Sequence, residues 1–550
     1  MEPDTESPSD EGGVAPRLSD KQIALLSRFG ERRPTEAGEV LFREGDIVTD
    51  LYVVLDGTVA VVEGHGTAQE QVIHIHGPRE FLGELSVLTA QACFLTNVVR
   101  EPGEVLVVPA SALRRVADQD PLLGNLILGA YLQRRSVLIG LGSGLRIIGS
   151  RFSPDTKRLR EFCARNRLPH RWIDLERDQA AETVLQELAV SPEETPVVMW
   201  GRDQVLRNPS NAELAARIGL HPTKNGSVCD VIVVGAGPAG LAAAVYAASE
   251  GFETVACDAV ATGGQAGTSP RIENYLGFPT GISGSELAER AVIQAEKFGA
   301  HINVSARAVA LEPSDGHHTV HFDDGSAVTA QAVLIATGVH YRRLPVPRLE
   351  EFEGSSVYYA ATQMEAHQCL SDPIVVVGGG NSAGQASLFL ARYAAKVHLV
   401  IRHGDLERDM SRYLVDQVIR HPGIEVVSDS EVVELVGEQG VLEAVVTEHR
   451  RSGERRRLDA RALFSFIGAE PRVEWLGDQL ALDERGYILT GNDAVDAGQD
   501  PPALRPLFLE TSLPGVFAAG DVRSGSIKRV ASAVGEGSMS VRLIHERLNG

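Results

Sequence analysis

Cysteine is scarce and scattered in this chain. Its 550 residues hold five, Cys93, Cys163, Cys229, Cys257 and Cys369. No two stand in a Cys-x-x-Cys spacing, so neither a zinc knuckle nor a vicinal redox pair can be written, and no metal is expected. Long apolar runs are missing as well. No stretch approaches the roughly 20 residues that span a bilayer, and residues 1–16 have neither the basic start nor the apolar core of an export signal. A membrane partner is therefore not expected, and a cytoplasmic location is. Basic charge is in deficit: 52 Lys and Arg against 74 Asp and Glu leave a formal net charge of -22. That is the wrong sign for displacing counterions from nucleic acid. Residues 1–16 carry acids and no base and are expected to form a disordered tail. What is present, 43% hydrophobic and 23% charged residues, is ordinary for a globular protein. The length calls for several cores, at roughly 100–200 residues per domain.

Four blocks separate by pattern. From 18 to 140, short apolar runs alternate with Gly and Asp. Strands are predicted at Val40–Phe42, 51–55, 59–62, 72–75 and 104–108, with Asp56-Gly57 as a tight turn and a helix at 124–138. This is a small β-roll closed by a helix. From 145 to 222 the order is strand (145–148), helix (155–165), strand (171–175), helix (181–188), strands Val197–Trp200 and Gln204–Arg207, then helix Asn211–Ile218. That order describes a small α/β sandwich. A polar linker follows at 223–227. Beyond it, buried strands and Gly-rich turns occur twice, starting at Val231 and Ile374.

The first copy runs Asp230-Val-Ile-Val-Val-Gly235-Ala-Gly237-Pro238-Ala239-Gly240 and enters a helix. Gly235 permits the tight turn, Gly237 lets backbone approach a pyrophosphate, and Gly240 lets the helix pack on the strand. Asp258, at the end of the next strand, is placed to accept a ribose hydroxyl. The second copy is Ile374-Val-Val-Val-Gly378-Gly-Gly380-Asn381-Ser382-Ala383, with Ala383 in place of the third glycine. Its second strand ends in Arg402-His403 without an acid, which favours the 2′-phosphate of NADPH over NADH.

With these turns, further stretches make the resemblance specific: Gly263-Gly264-Gln265, Ile272-Glu273-Asn274-Tyr275, Leu334-Ile335-Ala336-Thr337-Gly338, Gly515-Val-Phe-Ala-Ala-Gly520-Asp521, and Arg529-Val530-Ala531. Residues 229–550 resemble the thioredoxin reductase family of pyridine-nucleotide flavoproteins over their whole length. The resemblance implies an FAD domain (229–345 and 471–550) interrupted by an NADPH domain (346–470), both Rossmann-like three-layer α/β units, with connecting strands at 344–354 and 466–472 as a hinge. It implies that Asp521 takes a ribityl hydroxyl and that Asn274 and Arg529–Ala531 lie near the flavin ring. A homodimer is a family expectation.

The family's redox dithiol stands in a Cys-Ala-Thr-Cys run. The equivalent here is Ala360-Ala361-Thr362-Gln363, which holds no sulfur. The second block resembles a glutaredoxin- or thioredoxin-like domain, with Thr195-Pro196 at the cis-proline position. Its Cys-x-x-Cys aligns with Ser153-Pro154-Asp155-Thr156, again without sulfur. The first block resembles cyclic-nucleotide-binding domains, with Phe81-Leu-Gly83-Glu84-Leu85-Ser86 as the phosphate cassette and Glu84 as the ribose ligand. Cys93 and Phe94 occupy the place of the phosphate-binding arginine, which would weaken anion binding. The block reads as a degenerate sensor or docking module, or as a weakened cyclic-nucleotide site. No helix-turn-helix follows it.

Two classes of function remain. One is an enzyme that moves hydride from NADPH to FAD and onward to an unnamed acceptor: oxygen, a quinone, a one-electron carrier or an external disulfide. The other is a non-catalytic flavin- or nucleotide-binding sensor.

Overall fold

The computed structural model describes residues 15–67, 70–89, 91–200, 204–220, 226–269, 271–314, 316–353, 355–359, 361, 365–366, 369–438, 440–496 and 505–549. The expected tail lies outside these residues except for Ala15 and Pro16, and Ala360, Thr362 and Gln363 also lie outside them.

The first block is a six-stranded antiparallel roll. Its backbone is the order Glu31–Thr35, Thr96–Pro109, Asp50–Glu63, Gln71–His76, with Val40–Phe42 and Phe81–Leu82 paired alongside. One expectation fails here. The strands predicted at 51–55 and 59–62 are a single strand, Asp50–Glu63, and Asp56-Gly57 forms a bulge within it, where the register against Thr96–Pro109 shifts. Gly57 sits at φ 80°. A Cβ there would lie 2.5 Å from the Glu101 carbonyl oxygen, and one on Gly103 would lie 2.2 Å from that of Asp56. The pair of glycines lets two long strands cross closely at a bend, a use of Asp-Gly that a hairpin signal imitates. The closing helix, Pro121–Leu141, starts on the Asp120 carboxylate, which accepts from Leu122 and Leu123 N–H, and stops at Gly142 in the left-handed conformation. It buries Leu123, Ile127 and Ala130 in the roll.

The second block is a four-stranded sheet ordered Gln204–Arg207, Val197–Trp200, Leu145–Gly149, His170–Asp174, the last pair parallel. Helices Pro154–Arg165, Gln179–Glu187 and Asn211–Ile218 cover it, and the Thr195-Pro196 bond is cis.

Two larger sheets follow. In the first, the parallel order His301–Val304, Thr254–Asp258, Ser227–Val234, Ala327–Ile335 is extended by Val516–Ala518 from the far end of the chain. Its two central strands are continuously apolar and buried over Val231–Val234 and Ala332–Ile335, where both faces are covered. The second is fully parallel: Val357–Tyr358, Ala462–Ser465, Pro373–Val377, Lys396–Val400, Ile424–Val427. The two are joined by a two-stranded ribbon, Val339–Tyr341 with Ala469–Pro471. The first connecting strand thus precedes the expected 344–354, where Leu349–Phe352 is instead a helical turn. Pro345 and Pro347 have no N–H to give a ladder, so strand pairing ends before them.

Candidate nucleotide sites

The first Gly-rich turn fits a dinucleotide. Gly235 adopts φ 109°, and a Cβ there would stand 2.3 Å from the Ala336 carbonyl oxygen. Gly240 packs against the turn so tightly that a Cβ would overlap the Gly235 carbonyl oxygen at 1.8 Å. Gly237 differs. Its nearest neighbour across the groove is the Cα of Gly264, 3.9 Å from where a Cβ would be, so its missing side chain leaves open space rather than relieving a clash. Pro238 opens the helix Pro238–Ser249, and no side chain caps it. The uncapped N–H groups at this open cradle suit an anionic diphosphate.

Distant segments converge on Ala239. A Cβ on Gly520 would lie 3.0 Å from its methyl, and one on Gly537 would lie 2.0 Å from its carbonyl oxygen. These contacts seat the turn before Asp521 and the last helix, Val530–Asn549, against the first helix of the domain. Val530 and Ala531 begin that last helix, and Arg529 and Ala531 are exposed beside it. Gly520 N–H donates to Glu536, which also pairs with Arg523. Burial pushes the Asp521 carboxyl up; Lys528 opposes this and Glu536 adds to it. Gln265 donates to the Val339 carbonyl, and Thr337 Oγ1 donates to that of Arg472 at 2.9 Å, so both residues tie the site to the connecting ribbon. Gly338, at φ 66°, faces open space. Asn274 is exposed in a loop closed by the Ile272–Ile282 bridge. Asp258 also shapes the turn itself, because its carboxylate accepts N–H bonds from Ala236, Val260 and Ala261 at 2.9–3.0 Å. Only part of its acceptor capacity is left for a ribose.

The second turn repeats the device. Gly378 sits at φ 140°, with a Cβ position 2.4 Å from the Phe466 carbonyl oxygen, whereas Gly380 is open and begins the helix Asn381–Leu390. Ala383 is buried in that helix, Ser382 is exposed, and Asn381 Oδ1 accepts from Ser411 N–H at 2.6 Å. At the strand end Arg402 approaches His403 Nε2 at 3.2 Å, and Arg408 approaches its Nδ1 at the same distance. A neutral imidazole has one acceptor nitrogen, so His403 can satisfy one guanidinium and the other is available to an anion. Arg408 was missed in the sequence because it lies beyond the strand end, in the loop that folds back.

The β-roll encloses a cavity of about 240 Å³ that includes Gly83, Glu84, Leu85, Ser86, Cys93 and Phe94. Gly83 holds φ 94° with its Cβ position 2.7 Å from the Asp50 carbonyl oxygen. Glu84, 2% exposed, pairs at 2.8 Å with Arg134 of the closing helix, while its Oε2 is buried without a hydrogen bond. Ser86 Oγ is bonded to the Gln91 carbonyl. The cavity's cation thus comes from the helix, a contact that local patterning does not reveal.

At the next residue the same helix leaves the roll. Arg135 lies 3.3 Å from Glu289 of the first large domain; Tyr131 donates to Glu289 at 2.9 Å, and Arg167 of the second block reaches it at 2.8 Å. Elsewhere, Ser153 caps the helix Pro154–Arg165 through Thr156 N–H. Arg160 of that helix stacks 3.9 Å over Trp172 and acts electrostatically on Tyr358.

Comparison with known proteins agrees with this geometry. The family described as pyridine nucleotide-disulphide oxidoreductase matches residues 229–537, and the cyclic nucleotide-binding domain matches 32–120. A 34.2 kDa protein of the rubredoxin operon of Clostridium pasteurianum is 32% identical over 321 residues, 58% of this chain and 97% of its own. The thioredoxin reductase of Streptomyces clavuligerus is 34% identical over 311 residues, 56% of this chain and 91% of its own. Among solved structures, the thioredoxin reductase of T. acidophilum aligns with a TM-score of 0.53 at 30% identity, covering 59% of this chain and 99% of that one. The chain therefore belongs to the pyridine nucleotide-disulphide oxidoreductases, with a thioredoxin reductase-like part preceded by a cyclic nucleotide-binding domain.

Proposed function

We propose that residues 229–550 form an NADPH-dependent FAD oxidoreductase that delivers electrons to an acceptor other than a dithiol of its own. The contrast between the two strand ends carries the reading: the strand after the first Gly-rich turn ends at Asp258, which accepts from Ala236 N–H of that turn, whereas the strand after the second ends at Arg402 and His403, which Arg408 joins. Residues Gly235, Gly237, Gly264, Gly338, Gly520 and Asp521 would hold FAD; Gly378, Gly380 and the arginines would hold NADPH. Bound FAD would supply hydride acceptance from NADPH and passage of electrons onward. The chain's part is to bind, orient and keep water away from the two nucleotides.

Disulfide reduction needs an attacking thiolate and a resolving partner. All five cysteines are buried and unpaired, and burial pushes each thiol up to about 12. This supports an external acceptor: oxygen, a quinone, a one-electron carrier or an outside disulfide. The second block, read as thioredoxin-like without its dithiol, and the first, read as a sensor or docking module, would then serve recognition or regulation rather than thiol relay.

Anaerobic addition of NADPH to the yellow protein is expected to bleach the flavin within seconds to minutes. Colour that persists would sink the reductase reading and leave a nucleotide-binding sensor. Turnover in a thioredoxin-coupled disulfide assay that is lost when the chain's own cysteines are replaced would instead overturn the claim of a route without an internal dithiol.

A further inference from the structure

The β-roll holds a set of donors that the nucleotide sites do not use. His74 and His76 stand two apart on the strand Gln71–His76, so alternation turns both rings to one face; the rings meet edge to face at 4.6 Å. A turn through Arg79, held by Arg79 N–H to the Val54 carbonyl and Val54 N–H to the Glu80 carbonyl, brings Glu80 back beneath them. Glu80 Oε2 lies 3.1 Å from His76 Nδ1 and 3.6 Å from His74 Nε2. All three donor atoms fall within 4.8 Å of one another. Ligand atoms bound at zinc distances in a tetrahedron are about 3.3–3.4 Å apart, so the two contacts to Glu80 bracket the spacing around one ion.

A plain hydrogen bond explains part of this cluster. It accounts for Glu80 and His76, which are 7% and 3% exposed. His74 Nε2 is different: it is buried without a hydrogen-bond partner, and a buried polar atom in that state calls for a ligand.

We propose that His74 Nε2, His76 Nδ1 and Glu80 Oε2 bind a divalent first-row transition metal. Two imidazoles and one carboxylate suit zinc, cobalt, nickel or copper better than calcium or magnesium. The charged groups around the cluster allow it. Arg17, 3.6 Å from Glu80 Oε1, is 69% exposed along its side chain and can swing into solvent. Arg134 is paired with Glu84. Both histidines line the same cavity as Gly83–Ser86. A fourth coordination position facing that cavity would take water or an anionic small molecule, as three-ligand sites do. There the ion would provide positive charge that Cys93 and Phe94 do not.

The test uses the full chain, stripped with a chelator and titrated with Co²⁺ and Zn²⁺. One equivalent of Co²⁺ is expected to develop intense visible d–d bands, displaced by Zn²⁺. His74→Gln and Glu80→Gln should each weaken binding at least tenfold while leaving flavin absorbance and NADPH bleaching unchanged. His74 is half-exposed, so His74→Gln decides the matter alone if the Glu80→Gln chain does not fold. Absence of the cobalt bands, or binding that survives both substitutions and so belongs to other histidines, would overturn the site.

Discussion

His403 is asked for two hydrogen bonds by two arginines and can accept one. A 2′-phosphate would satisfy both guanidinium groups, with hydrogen bonds to charged groups contributing about 1.5–3 kcal/mol each. Arg402→Ala and Arg408→Ala are each expected to raise the KM for NADPH about ten- to hundred-fold and to leave NADH nearly unchanged. Equal losses for the two nucleotides would remove the phosphate role. The cysteines give a second residue-scale expectation. With every thiol buried and pushed up to about 12, thiolate is scarce at neutral pH and access is poor. An aromatic disulfide reagent should find essentially no reactive thiol in the native protein and five in guanidinium. A fast-reacting thiol in the native chain would reopen internal disulfide chemistry. The Gly-rich turns were readable because a positive φ at Gly235 and Gly378, close packing at Gly240 and open space at Gly237 and Gly380 are all demands that local spacing records. Arg134 and Arg408 were not, since each reaches its site by tertiary folding.

Elements carry their own tests. The Ser153 hydroxyl caps the helix Pro154–Arg165. Ser153→Ala should therefore lower stability by about 0.5–2 kcal/mol, the usual cost of a lost cap, with flavin bleaching by NADPH unaffected. Loss of bleaching beyond the loss of folded protein would place chemistry at this helix. In the roll, Gly103→Ala would press a Cβ onto the Asp56 carbonyl and should lower the melting temperature of the first block, measured by calorimetry. A neutral outcome would mean that the two long strands can part at the bulge. The second block was legible almost element by element because its periodicities switch cleanly between two and 3.6. The roll's long strands were not: Asp-Gly has the same letters in a bulge as in a hairpin turn, and only the partner strand distinguishes them.

At the scale of the molecule, Glu289 is the meeting point of three blocks. It is 8% exposed and receives Tyr131, Arg135 and Arg167. Glu289→Ala would leave the buried Arg135 and the partly buried Arg167 without their carboxylate, and breaking a buried pair in this way typically costs about 3–5 kcal/mol. It should loosen the first two blocks from the flavoprotein part, seen as faster proteolysis between residues 220 and 230. Unchanged protection would show that apolar packing holds the blocks without this junction. Arg134 and Arg135 are consecutive on one helix, one facing the roll cavity and the other facing Glu289, so the cavity and the flavoprotein part are mechanically adjacent.

The sequence by itself determined the four-block order, both Gly-rich turns and the absence of a Cys-x-x-Cys pair, because each is written in neighbouring residues whose backbone demands are local. Tertiary structure alone decided the convergence of Gly520 and Gly537 on Ala239, the pairing of Glu84 with Arg134, the three-way junction at Glu289 and the gathering of His74, His76 and Glu80. Those contacts join residues whose separation along the chain carries no periodic signal, and only packing of the buried faces brings them together.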